Sequence, residues 1–257
     1  MPYTYLRSLN KQTLWGQGSD GPPLWGPQLR PAAGLPPGVL LLAAVLLCYV
    51  PPARSAQPVP PDLTGVYQTI PNATVLPAGR GNRGSPAEIP LLPEAIARMK
   101  TINPKRDPAK ICQVIGPFRM MARDETRIEI VPEAYMIVIL FEDTAHGHLR
   151  TLHLNRQHPS KLGEGTWLGD SSAHWEGDTL VVDTVGFNDR TWLNDQGAQH
   201  SDALHLVERI RPILNGKYLE YKVTADDPKA LARPYTYTRY YQKVNGEIKE
   251  DICEDEP

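Results

Sequence analysis

A chain of 257 residues with 22% charged and 41% hydrophobic side chains has a globular composition, not a disordered or fibrous one. Its 27 basic and 29 acidic residues give a formal charge of −2, without the basic excess that binding to nucleic acid or an anionic membrane calls for.

Met1–Pro37 is rich in Pro, Gly and polar residues and shows no periodicity. Gly38–Val50, GVLLLAAVLLCYV, is an unbroken apolar run. As a helix it would rise only about 20 Å, short of the roughly 30 Å hydrocarbon core of a bilayer. Followed by PPARSAQP, it has the form of a secretory signal, with Ala53 and Ser55 as the small residues of a cleavage site after Ser55. Residues 1–55 are therefore expected to be a leader and signal peptide, and the mature protein periplasmic or secreted. The length of the leader points to a translation start nearer Leu35 or Val39. The alternatives are an uncut membrane anchor and lipidation at Cys48, where Leu47 stands in place of the small residue that lipidation requires. Losing the leader removes four basic residues and one acidic one, leaving 23 against 28 and a charge of −5. No membrane association beyond the signal is expected.

Of three cysteines, Cys48 falls in the leader, leaving Cys112 and Cys253. In an exported protein these most simply form one disulfide. In the chain-entropy model a loop this long is worth about 4–5 kcal/mol, less any strain. Two free buried thiols are the alternative.

Residues 56–62 form a Pro-rich linker ahead of a domain spanning 63–257. Leu63–Ile70, LTGVYQTI, has the character of a first strand. Pro71–Pro90 contains Gly79, Gly81 and Gly84, but no strand-turn-helix context or GK[ST] follows, so a surface loop is expected rather than a phosphate cradle. Leu91–Lys100 predicts a helix. Pro93 and Glu94 suit its start, Arg98 and Lys100 its end, and Ile96 and Met99 make its apolar side.

From Arg119 onward the pattern is β. Arg127–Val131 alternates, and Tyr135–Phe141, YMIVILF, is apolar on both faces. Leu149–Asn155, Thr179–Thr184, Ala203–Ile213, Lys217–Thr224 and Tyr235–Lys243 follow. Asn215-Gly216 signals a two-residue hairpin, and Asn245-Gly246 another into Glu247–Cys253. Eight or nine short strands, one short helix and no βαβ rhythm predict a mainly β fold. The expected form is a single antiparallel β-barrel or strongly curled sheet.

His146 and His148 alternate as metal ligands on a strand can, with His153 and His158 nearby. A cupin-like site needs a carboxylate a few residues on. Leu152 and His153 occupy those positions, so turn histidines and no metal are expected. On Ala203–Ile213, Glu208 shares a face with Leu204, Leu206 and Ile210. A carboxylate there must be paired, hydrogen-bonded or proton-carrying. It is either a general acid or base, with Asp183 as the second candidate, or one half of an ion pair with an arginine such as Arg239. His200-Ser201-Asp202 has the residue types of a hydrolytic triad, but adjacent residues cannot converge as a triad must. His200 is retained as a lone acid-base candidate, against a loop cap through Ser201 or Asp202. Trp167, Trp175 and Trp192, with Phe187 and Tyr237, offer aromatic faces for a small apolar or aromatic ligand, with core packing as the alternative. No cofactor motif is present.

The stretch WEGDTLVVDT with Phe187, then Asn188, Trp192, His200-Ser201 and Glu208-Arg209, resembles a family of exported, mostly uncharacterised bacterial proteins with a cysteine near each end of the domain. That resemblance spans about Leu63 to Cys253 and implies no particular reaction. Asp62–Tyr67 is also similar to the opening G-x-W strand of lipocalin-like (calycin) barrels, with Tyr67 in place of Trp. This implies a ligand-binding barrel. A cofactor-independent isomerase, lyase or cyclase using the same cavity, and a structural envelope protein with a filled core, are the other expectations.

Overall fold

Nine short strands, most of them setting buried residues on one face against more exposed ones on the other, close the chain into a barrel. The computed structural model describes residues 59–249 apart from 73, 125, 143–148, 160 and 162. The leader, His146, His148 and Cys253 therefore lie outside the described residues. The strands are β1 (Gly65–Thr69), β2 (Arg127–Pro132), β3 (Met136–Phe141), β4 (Leu149–Leu154), β5 (Asp170–Glu176), β6 (Thr179–Val185), β7 (His205–Ile213), β8 (Tyr218–Asp226) and β9 (Tyr235–Val244). Each pairs with its neighbour in sequence, and β9 returns to β1 through Val66↔Val244 to Thr69↔Tyr241. Every pairing is antiparallel except β4 with β5, which run parallel and meet at only two positions, His153↔Ser172 and Leu154↔Ala173. Closure leaves no free sheet edge.

The long connections gather at one end of the barrel: residues 70–126 between β1 and β2, 186–204 between β6 and β7, and 227–234 between β8 and β9. The first carries α1 (Pro93–Thr101) and α2 (Pro117–Met120). The segment around α2 fills the barrel. Ile115, Phe118, Met120 and Met121 are buried in the same cluster as Tyr67, Ile128, Phe141, Tyr221, Tyr237 and Tyr241. Tyr237 donates its phenol to the Phe118 carbonyl at 2.5 Å and Tyr241 to that of Met121 at 2.6 Å. Phe118 meets Tyr237 edge-on with ring centroids 5.0 Å apart. Interior aromatics thus pack on the plug and satisfy its backbone at once.

Several expectations are corrected. β5, DSSAHWE, lacks the apolar alternation of a strand because its inward residues are Ser171, Ala173 and the half-buried Trp175, small or polar where the barrel holds its buried charges. β7 and β8 are joined by four residues, not two: Ile213 pairs with Tyr218, and Leu214, Asn215 and Gly216 all have positive φ. Residues 247–249 form no strand, and β structure resumes at Arg127 and not at Arg119, which lies in α2 behind Pro117, a residue suited to a helix's first turn. On α1 the buried residue is Ala95, Met99 is partly buried against the core, and Ile96 is 36% exposed. The glycine-rich stretch is stitched to β9, with Arg83 and Thr238 exchanging backbone hydrogen bonds of 3.0 and 2.8 Å. No helix among the described residues is long and apolar enough to cross a membrane.

Candidate functional site

The buried charge of the barrel is a closed pair. Glu208 is fully buried and Arg150, on the facing wall, is 2% exposed. The guanidinium grips the carboxylate in fork geometry, Nη1 to Oε1 at 2.8 Å and Nη2 to Oε2 at 2.5 Å. Tyr221 adds a phenol hydrogen bond to Oε1 at 2.7 Å. Arg150 Nη2 also donates to Ser171 and Thr184. Burial, then the charge of Glu208, pushes the Tyr221 phenol well above its usual range, so it stays a donor. The expected ion pair is present, but with Arg150; Arg239 instead donates to the Gly84 and Thr238 carbonyls. The signal was available. On β4, Arg150 shares a face with Leu152 and Leu154, the same interruption that singled out Glu208.

Asp183 is not a partner of Glu208. Val182 is the residue opposite Glu208, so Asp183 points to the outer surface. There it accepts from His158 Nε2 and His205 Nε2, both at 2.8 Å, while His158 Nδ1 reaches Asp170 at 2.7 Å and Arg156 also pairs with Asp170. Both ring nitrogens of His158 face carboxylates, which only accept, so this arrangement needs the imidazolium. Burial lowers the His158 pKa, but the hydrogen bonds and charges of Asp170 and Asp183 outweigh it and the net shift is upward. Burial likewise works against Asp170 and Asp183, and their hydrogen bonds bring both below the usual carboxylate range. A raised histidine stabilises fully below its unfolded pKa and loses that contribution as pH rises through the folded one; the two aspartates lose theirs as pH falls through their depressed values. His158→Gln should therefore lower Tm at pH 5.5, and the gap to wild type should shrink above about pH 6.5. A gap of constant size from pH 5.5 to 9 would remove the imidazolium from the account.

His200 is buried and its hydrogen bonds define its state. Nδ1 donates to the Ser201 carbonyl at 2.8 Å and Nε2 accepts from the Thr191 hydroxyl at 2.6 Å. Burial lowers its pKa, so the ring is neutral. Ser201 caps the same loop: its N–H and hydroxyl donate to buried Asp227 at 2.6 and 2.8 Å, and its Oγ accepts from Ala203 N–H. Asp202 pairs outside with Lys229.

The aromatic residues divide. Phe187 and Tyr237 belong to the core, and Trp175 packs against it from β5. Trp167 and Trp192 come together on a groove of about 600 Å³ at the elaborated end of the barrel. Two local devices place them. Residues 192–199 form a small hairpin, Trp192↔Gln199, whose turn is organised by Asn194 accepting from the N–H groups of Gln196 and Ala198, each at 3.0 Å. Thr166 is sewn alongside Phe187, its N–H to the Gly186 carbonyl and its carbonyl from Asn188 N–H, both 2.9 Å. This carries Trp167 to Arg190, whose guanidinium carbon lies 5.9 Å from the indole centroid.

Gly165, at φ +74°, makes that close approach; a Cβ there would lie 2.6 Å from the Phe187 carbonyl oxygen. Gly165→Ala should cost upwards of about 1–2 kcal/mol through the left-handed backbone alone. It should also alter the fluorescence of Trp167 when folded. An unchanged urea midpoint would contradict this.

The opposite side of the groove comes from residues 101–113. Asp107 holds that segment, accepting from Ala109 N–H at 3.0 Å and from both ends of the Arg119 fork at 2.6 and 2.8 Å. The short turn Pro104–Arg106 then presents Arg106 to the groove. No sequence pattern marks Arg106 or Arg190, because segments far apart in the chain meet here. A second cleft of about 370 Å³ opens where β4 and β5 diverge and is bordered by Leu149, Arg150, Ser171 and, again, Trp167. No group of three or more metal-ligating side chains occurs among the described residues.

By construction, then, the molecule is a closed nine-stranded β-barrel with a filled interior and a tryptophan-bearing groove at one end. No protein-family profile and no curated protein matches the sequence, so the resemblance to an exported bacterial family has no support of that kind. Solved structures similar to this chain include the REP1-NXSQ fatty acid transporter (9% identity, TM-score 0.37, covering 72% of this chain and 98% of that one). Another is secretory abundant heat soluble protein 4 from Ramazzottius varieornatus (14% identity, TM-score 0.36, 74% and 100%). A third is zebrafish ileal bile acid-binding protein complexed with cholic acid (12% identity, TM-score 0.34, 71% and 98%). At these scores and identities nothing about this chain's ligand follows from them.

Proposed function

We propose that the protein is an exported binder of a small aromatic molecule, lipocalin-like in architecture, and that the ligand sits in the groove at the barrel end and not inside the barrel. The observation that carries this is the meeting of Trp167 and Trp192 on one groove of about 600 Å³. That size is within the roughly 300–1,000 Å³ of small-molecule sites, and indole faces are good partners for flat ligands. The interior is taken by the plug around Phe118 and by the Arg150–Glu208 pair, which uses both carboxylate oxygens.

The test is a panel of one- and two-ring aromatic compounds, charged and neutral, titrated against wild type and Trp167→Leu with calorimetry and thermal shift as readouts. A ligand that binds at one per chain, and at least tenfold more weakly to a folded Trp167→Leu chain, is the expected result. A panel with no binder, or binding indifferent to that substitution, would overturn it. Export with cleavage after Ser55 and a disulfide from Cys112 to Cys253 belong to the same proposal. N-terminal sequencing of the mature protein checks the first, and two titratable thiols in unreduced protein would remove the second.

A further inference from the structure

We propose that the ligand of the groove is an aromatic carboxylate, its rings against Trp167, beside the buried Trp192, and its anionic group held by Arg106 and Arg190; this rests on the groove being the ligand site. Arg106, Arg190 and Asp189 line the groove beside the two tryptophans. Two guanidinium groups stand against one carboxylate there, in a chain whose acids outnumber its bases. The groove therefore reverses the sign of the molecule that carries it.

Among the described residues neither guanidinium has an ion-pair partner or a side-chain hydrogen bond to an acceptor. Three other surface arginines do have partners, Arg211 with Glu220, Arg209 with Glu176 and Arg156 with Asp170, while Arg98 and Arg233 share the open state of the groove pair among the described residues. Arg190 is held in a useful way. Its guanidinium carbon lies over the Trp167 ring, 5.9 Å from the centroid. A cation–π contact at this distance uses none of the guanidinium N–H groups as hydrogen-bond donors, so they remain available to an anion. A carboxylate accepts that fork in bidentate fashion, which gives direction as well as charge. Trp192, 6% exposed, is fixed by its hairpin and offers the groove little surface, so the stacking face is that of Trp167.

The two parts of the ligand make separable demands. A neutral aromatic would leave both guanidinium groups without a counter-charge. An aliphatic acid would satisfy them and leave the indole faces poorly covered.

The experiment titrates the full chain by calorimetry with 2-naphthoate, 2-naphthalenemethanol and decanoate, repeating each with Arg106→Gln. Arg106 is exposed, so the variant should fold with unchanged Tm. The expected result is that naphthoate binds at least tenfold more tightly than either of the others. Arg106→Gln should weaken naphthoate about tenfold and leave naphthalenemethanol unmoved, and added salt should weaken the two carboxylates but not naphthalenemethanol. Naphthalenemethanol binding as tightly as naphthoate would overturn the carboxylate and leave the groove standing as an aromatic site. Decanoate binding as tightly would overturn the aromatic half. If neither naphthalene compound binds, the groove itself is lost as the ligand site, and this proposal with it.

Discussion

Glu208→Ala should lower the unfolding free energy by about 3–5 kcal/mol, the range for removing one partner of a buried ion pair and leaving the other charge uncompensated. For a domain of this size that is a fall in Tm on the order of 10 °C. The loss comes from Arg150, which keeps its charge in a site with 2% exposure and retains only the hydroxyls of Ser171 and Thr184 as partners. Arg150→Met combined with Glu208→Leu should recover most of the loss, because an apolar pair of similar volume avoids burying charge at all. Urea unfolding of the three chains decides it. A double variant as unstable as Glu208→Ala would mean that hydroxyl contacts, not charge, set the cost. Glu208→Gln should fall between them, since the amide still accepts from Tyr221 or Arg150 but no longer neutralises the guanidinium.

Phe118→Ala should cost about 3–5 kcal/mol, the usual figure for emptying a buried phenylalanine site. Phe118 is the plug residue that meets Tyr237 edge-on. Its carbonyl, which accepts the Tyr237 phenol, is backbone and survives the substitution. The barrel should therefore persist with a void near Tyr237, lined by apolar and aromatic groups, and such voids bind small apolar molecules. A thermal shift with benzene or naphthalene in the variant but not in wild type is the expected signature. If wild type gains as much stability from these compounds as the variant does, the interior is not filled as described.

Much of the barrel was legible because its rule is local. Period-two alternation marked β2, β7 and β9, a continuous apolar run marked β3, and closure followed from the number of strands and the absence of crossover helices. β5 was hidden for a reason that lies elsewhere in the chain. Its inner face carries Ser171 and Ala173 because Arg150 must be accommodated beside it, and that accommodation appears only when the strands are placed together. Glu208 was marked by its position on an apolar face, and Arg150 obeys the same rule. Asp183 shows where the rule stops: a carboxylate on the strand next to Glu208 lies one residue out of register and so on the opposite surface. The tryptophans were visible as ligand candidates, but Trp175 and Trp192 look alike in sequence. The hairpin organised by Asn194 is what sends Trp192 to the groove, and long-range contacts bring Arg106 and Arg190 there.

The parallel contact between β4 and β5 is a matter of parity. Strands alternating up and down around a ring return in phase only when their number is even. This ring has nine, with β1 and β9 antiparallel, so one adjacent pair had to run the same way. That pair cannot be joined by a tight turn, and residues 155–169 must travel back along the outside of the wall for the full length of a strand. The return path takes His158 across the outer faces of β5 and β6 and sets Trp167 down at the elaborated end. An odd strand count thus delivers the indole on which the groove depends.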